Sequence, residues 1–224
     1  MIRLKTLILL TLFSCIVFAQ EQETDLGAIL SVELKKDLNH KIGISFEEEL
    51  RLLNNNVNFD RIASTVGLDY AIIDKKLKVG VYYSYIYMYN SDYLYESRHR
   101  YSLSLSYKEP IGKFTLSWRS RLQGTYRDEN RGEYKINPKY ILRNKFEVTY
   151  SIFGAPWKPF LSCEISNTLN DPLGNEISKA RIQGGTSWRL DRTTYLEFFL
   201  RDDEYFSAKD PRVFSIGATY KKEF

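Results

Sequence analysis

From residue 26 to the end of the chain, apolar and polar positions alternate with period two in about eleven segments, the spacing that puts neighbouring side chains on opposite faces of a β-strand. In the second segment Ile42, Ile44, Phe46, Leu50 and Leu52 share one face, broken only by Glu48, while Lys41, Gly43, Ser45, Glu47, Glu49 and Arg51 share the other. The third sets Ile62, Val66, Leu68, Tyr70 and Ile72 against Arg61, Ala63, Thr65 and Asp69. In the sixth, Phe114, Leu116, Trp118 and Leu122 oppose Thr115, Ser117, Arg119, Arg121 and Gln123. Breaks between segments are of two kinds, and they alternate. Tight ones fall at 37–40, 74–76, 110–113, 154–158 and 191–192; longer polar ones fall at 54–58, 90–96, 128–137, 167–178 and 203–211. Loops sorted by length to opposite ends are the mark of an all-β, antiparallel transmembrane β-barrel with short periplasmic turns and longer external loops, here of about 10–12 strands.

The parity of the count is open. Segment 26–36 runs towards a tight break and so begins at the outer rim, whereas bacterial barrels usually have an even number of strands with both ends inside. Three arrangements satisfy the pattern: ten strands from Lys41 with 26–36 as an accessory strand, twelve with one strand hidden, or an odd barrel closed by a parallel pair.

Both termini bear on location. Counting back in twos from Phe224 gives Lys222, Tyr220, Ala218, Ile216 and Phe214, a mostly apolar stripe running to the last residue. A terminal aromatic on such a stripe resembles the assembly signal of Gram-negative outer-membrane barrels, with Phe214, Ile216, Tyr220 and Phe224 as its side chains. At the other end, Arg3 and Lys5, the apolar run 7–18 and the small residue Ala19 read as a secretory signal over 1–19, leaving 20–224 as the barrel. The expected location is the cell outer membrane. Its lipid and the barrel assembly machinery, engaged through the C-terminal strand, are the expected partners.

Composition separates this reading from a soluble β-sandwich. The chain holds 17 Tyr, 13 Phe and 3 Trp, yet its mean hydropathy is −0.38. A wall that is apolar on alternate residues keeps the average low while aromatics gather at the membrane interfaces. Loss of residues 1–19 removes two basic residues and no acid, lowering the net charge from +4 to +2, which offers nothing to a nucleic acid. Cys15 lies within that leader, so Cys163 is the only mature cysteine and has no intramolecular disulfide partner.

If the apolar face meets lipid, the polar face lines the lumen. That face carries Arg51, Arg61, Arg98, Arg100, Arg119, Arg121, Arg143, Lys145, Arg181 and Arg201, with the acids Glu47, Glu49, Asp69, Glu147, Glu164 and Glu197. Three basic-x-basic pairs, 98/100, 119/121 and 143/145, put two charges about 7 Å apart on one strand face. Facing lipid at the bilayer midplane, each arginine would cost about 2–4 kcal/mol, so these faces turn inward. Counted from the tight breaks, Asp69, Glu147, Glu164 and Glu197 fall in the lower half of their strands, with Arg100, Arg121, Arg181 and Arg201 nearer the middle. Two functions fit this inventory. Guanidinium forks gripping carboxylates would seal the lumen and leave a scaffold or partner subunit. Arginines left free would form a basic constriction for a small anionic solute.

Arg119-x-Arg121, Arg143-Asn144-Lys145, Lys158-Pro159-Phe160-Leu161-Ser162-x-Glu164, Arg181, the opening Asp25-Leu26-Gly27, Glu49-x-Arg51 and Arg61 together resemble a family of Bacteroidota outer-membrane barrels, domain of unknown function 2490. The resemblance spans essentially the whole mature chain. It implies a barrel in the outer membrane and supplies no activity.

Catalysis is not expected. His40 falls in a tight periplasmic break and His99 shares its face with Tyr101, Leu103, Leu105 and Tyr107, which points it at lipid, so neither imidazole is placed to meet a nucleophile at the external rim. Glu164 and Glu197 could form an acid/base pair, but neighbouring arginines hold carboxylates ionised. Two histidines, one cysteine and scattered acids give no metal-ligand spacing, and no cofactor motif is present. Asp202-Asp203-Glu204 reads as a solvated loop edge, and Gly184-Gly185 as a close backbone approach or a bend within a strand. The sequence predicts an outer-membrane protein of porin-like or structural type.

Overall fold

The computed structural model describes residues 24–53, 58–90, 94–127, 136–172, 176–206 and 211–224. Their strands are β1 (Thr24–Asp37), β2 (Ile42–Leu53), β3 (Asn58–Ile73), β4 (Leu77–Asn90), β5 (Leu94–Ile111), β6 (Phe114–Arg127), β7 (Lys139–Tyr150), β8 (Trp157–Thr168), β9 (Ile177–Arg189), β10 (Thr194–Tyr205) and β11 (Arg212–Glu223). Each pairs with its neighbours in sequence, and β1 pairs with β11 to close the barrel. All pairings are antiparallel except this last, which runs parallel from Thr24 opposite Arg212 to Lys35 opposite Glu223. The odd barrel closed by a parallel pair is therefore the arrangement adopted. Segment 26–36 is neither accessory nor surplus: it seats the C-terminal strand.

Local chemistry sets the tight turns. Asn39 accepts the backbone N–H groups of Lys41 and Ile42 through Oδ1, each at 2.8 Å, turning the chain from β1 into β2. Asp191 does the same between β9 and β10, accepting the Thr193 amide at 2.7 Å and its hydroxyl at 3.0 Å. β5 runs on through Pro110 to Ile111, so its turn shrinks to Gly112-Lys113. β10 likewise continues past Asp203 to Tyr205, which removes Asp203 from the loop in which the sequence pattern set it.

Alternation holds along the strands, interrupted by irregularities at Arg51/Leu52, Ala71/Ile73 and Ser166/Asn167. The outer face carries large apolar side chains in the open, among them Leu161, Phe146, Ile216, Tyr101 and Leu103. Cys163 is exposed on that face. His99 is there too, its Nδ1 hydrogen-bonded to the Tyr83 hydroxyl at 2.8 Å. Of the assembly-stripe residues, Phe214, Ile216 and Tyr220 are exposed on the outer face of β11, whereas Phe224, just past the end of that strand, is exposed and borders the interior cavity. Inside, the half towards the long connections is filled: Ile29, Ile86, Asp203 and Ser215 are fully buried. Phe199 lies across the wall there, and a Cβ on Gly217 would come within 2.1 Å of its ring. A Cβ on Gly185 would meet the Phe199 Cβ at 2.8 Å and the Phe198 carbonyl at 2.2 Å, so Gly185 marks a close backbone approach, while one on Gly184 would stand 3.6 Å from Leu161.

Candidate functional site: a charged lumen

The other half of the interior, towards the tight turns, is a cavity of about 750 Å³. Inward-facing strand positions line most of it, with Lys75 and Lys76 of the β3–β4 turn at its rim, and basic residues outnumber acidic ones fifteen to nine. Of the residues singled out in the sequence, all but Arg98 reach this cavity. Arg98 also turns inward, but its Nε donates to Glu96 at 2.7 Å, nearer the long-connection end.

The register aligns one row of charge across five strands. Arg119 on β6 lies opposite Lys145 on β7, Lys145 opposite Glu164 on β8, Glu164 opposite Arg181 on β9, and Arg181 opposite Asp203 on β10. Much of the row pairs internally. Arg143 grips Glu164 Oε1 through Nη2 at 2.6 Å and Nε at 3.1 Å, and Arg181 approaches the same oxygen at 3.5 Å. Arg181 Nε donates to Asp203 Oδ1 at 2.5 Å, while Lys179 lies 2.9 Å from Oδ2. Asp203 is 1% exposed, a buried anchor and not the solvated loop edge predicted from the sequence. Its neighbour Asp202 instead pairs with Arg212. Glu164 lies beyond the middle of β8, level with Lys145 and Arg181, and not among the lower acids where counting from the tight break sets it.

Three more clusters hold inward charges. Arg51 and Arg61 share Glu49 Oε1 at 3.3 and 3.4 Å. Lys145 donates to Glu147 at 2.7 Å. Lys221 donates to Glu197 at 2.6 Å and lies 3.7 Å from Glu33, which Lys35 also holds at 2.7 Å. Glu164 and Glu197 thus have separate cationic partners and stand on strands separated by β9, so they do not form an acid/base pair.

Four cavity-lining arginines form no ion pair among the described residues. Arg100 donates to the Thr125 hydroxyl at 3.1 Å, and Arg201 to the side-chain Oε1 of Gln183 at 3.3 Å with its guanidinium 5.0 Å from the Phe199 ring centre. Arg121 stacks over Tyr82 at 4.8 Å. Arg119, between Lys145 and Ser106 in register, has no hydrogen-bond partner among the described residues. Arg121 Nε and Arg201 Nη1 are buried donors without protein acceptors. Each such donor, left without an acceptor, costs about 1–3 kcal/mol. The acids are unevenly treated as well: Asp69 accepts the Tyr82 hydroxyl at 2.5 Å, and Glu47 forms no ion pair among the described residues.

A family profile described as a protein of unknown function, DUF2490, matches residues 26–211, from the first strand into the connection before the last. The chain belongs to the DUF2490 family. No curated protein matches it. Among solved structures it is similar to a chain described as a bacterial polysaccharide outer membrane secretin, with a TM-score of 0.54 and 14% identity over 80% of this chain. The match spans 63% of that chain's length and concerns the barrel fold.

The sequence pattern missed Glu33, Lys35, Tyr82, Lys179 and Lys221 as lumen residues. Parity was available for most of them. Lys221 is out of phase with the outward stripe that ends at Phe224, and Tyr82 is in phase with Lys78 and Ser84. Glu33 and Lys35 belong to β1, whose placement depends on the parallel closure that alternation does not encode.

Proposed function

We propose that this chain is a small outer-membrane β-barrel whose lumen admits small anionic solutes. The observation that carries the reading is the set of arginines, Arg119 and Arg121 foremost, that line the cavity without carboxylate partners while basic residues prevail around them. A fully paired interior would have matched these guanidinium groups. Rings of unmatched Arg and Lys instead lower the barrier to anions. Each strand has at least 12 residues, above the roughly 9–11 a tilted strand needs to cross a bilayer. The exposed apolar outer face supplies the surface that lipid would cover. On this reading residues 1–19 direct export, the last strand engages the assembly machinery, and the tight turns face the periplasm. The lumen charges serve solute recognition, not catalysis.

A sealed scaffold is the second reading, and the filled long-connection half of the interior favours it. Planar-bilayer recording on the refolded mature protein separates the two. Anion-selective conductance that loses its preference in an Arg119→Ser/Arg121→Ser variant supports the channel. A silent wild type rejects it.

A further inference from the structure

In an eleven-stranded ring the wall opposite β1 and β2 is made by β6, β7 and β8. The net charges of these walls differ in sign: Glu33, Asp37, Glu47 and Glu49 outnumber Lys35 and Arg51 on β1 and β2, and Arg119, Arg121, Arg143 and Lys145 outnumber Glu147 and Glu164 on β6 to β8. Glu33, Glu47 and Glu49 project from β1 and β2, whereas Arg119, Arg121 and Arg143 project from β6 and β7. The walls face one another across a single cavity, which Glu33, Glu47, Arg119 and Arg121 all line. Of the three glutamates, Glu33 is held by Lys35 and Lys221, and Glu49 by Arg51 and Arg61. Glu47 alone forms no ion pair among the described residues. Opposite it, Arg119 and Arg121 are equally unspent.

We infer that Glu47 and the Arg119/Arg121 pair form a bipolar site across the lumen that selects small zwitterionic solutes, a carboxylate turned to β6 and an ammonium turned to β2. This rests on the open-lumen reading and adds to its anionic solutes a net-neutral, dipolar class. Opposite fixed charges across a narrow low-dielectric passage set up a transverse field, which lowers the free energy of a solute whose own charges align with it. A neutral solute of equal size gains nothing from that field. A simple anion is drawn to β6 and repelled by Glu47. The dipolar solute is attracted by both walls.

Osmotic swelling of proteoliposomes containing the full mature protein tests this with 4-aminobutyrate, a neutral polyol of similar size, and acetate. Wild type is expected to pass the amino acid about threefold faster than the polyol, the scale of one solvated ion contact. Glu47→Gln is expected to erase that advantage and to raise acetate entry, and Glu47→Asp to retain the advantage. Heat-modifiable gel mobility establishes that each variant is folded. Equal rates for amino acid and polyol in the wild type, or an advantage that survives in Glu47→Gln, would overturn the bipolar site while leaving the anion channel standing. Liposomes that admit none of the three solutes reject the channel and the site together.

Discussion

The backbone amide of Phe224 donates to the carbonyl of Lys35 at 2.8 Å, tying the last residue of the chain to the end of its first strand. Closure thus depends on the extreme C-terminus, where most folds fray. Deleting Phe224 removes this bond and the terminal aromatic together, and it should reduce the folded fraction recovered on refolding far more than deleting Gln20. Heat-modifiable mobility of the two deletion variants checks this; equal recovery would separate closure from the terminal residue.

Phe199 against Gly217 offers a test of the filled half. A Cβ at 217 would enter the Phe199 ring, so Gly217→Ala should cost about 1–3 kcal/mol by overpacking. Shrinking the ring should relieve the clash, which makes Phe199→Leu/Gly217→Ala less destabilised than the sum of the single changes. Denaturant midpoints of the four proteins measure the coupling, and strict additivity would show that the two sites are independent.

Strand order, turn positions and inward faces were largely legible because alternation and break length are local signals. β5, β6 and β7 carry their lumen charges where parity sets them. Closure was not legible: a parallel β1–β11 pair leaves no mark on either strand alone, so the role of Glu33 and Lys35 stayed hidden. Asp203 was misjudged for a related reason. The run Asp202-Asp203-Glu204 looks like a polar loop until Lys179 and Arg181, on the neighbouring strand, are seen to accept it into the interior. Pairing state was equally hidden, since Arg143 and Arg121 look alike in sequence and only the register gives one a carboxylate and the other an aromatic face. Residues 1–19 lie outside the described residues, as do 54–57, 91–93, 128–135, 173–175 and 207–210 within the long polar breaks.

Asp191 gives a pH signature outside the strands. The Thr193 amide, with the Thr194 and Thr193 hydroxyls, holds its carboxyl down to about 2. A carboxyl whose folded pKa lies below its unfolded value contributes stability above the unfolded pKa, and that contribution is lost as pH falls through the folded one. The wild-type advantage over Asp191→Ala should therefore be constant above about pH 5 and shrink between about pH 4 and 2. Unfolding midpoints across that range measure it; a gap that does not narrow on acidification would remove the carboxylate from the turn's stability.

Register can be read chemically at Leu116, Trp118, Ile165 and Lys76. The first three alternate outward on β6 and β8, while Lys76 sits in the β3–β4 turn, its ammonium 2.9 Å from Glu109 Oε1. In the protein reconstituted in lipid, on a Cys163→Ser background, cysteine at 116, 118 or 165 should resist a membrane-impermeant thiol reagent. Cysteine at 76 should react in whichever orientation exposes the tight turns. All four should react after denaturation. A one-residue slip would carry Leu116 and Trp118 into the lumen and Arg119 out to the lipid, a placement that costs about 2–4 kcal/mol for that arginine alone. Rapid labelling at 116 or 118 in the lipid-embedded protein, matching that at 76, would overturn the facing of β6 and with it the place of Arg119 and Arg121 in the lumen.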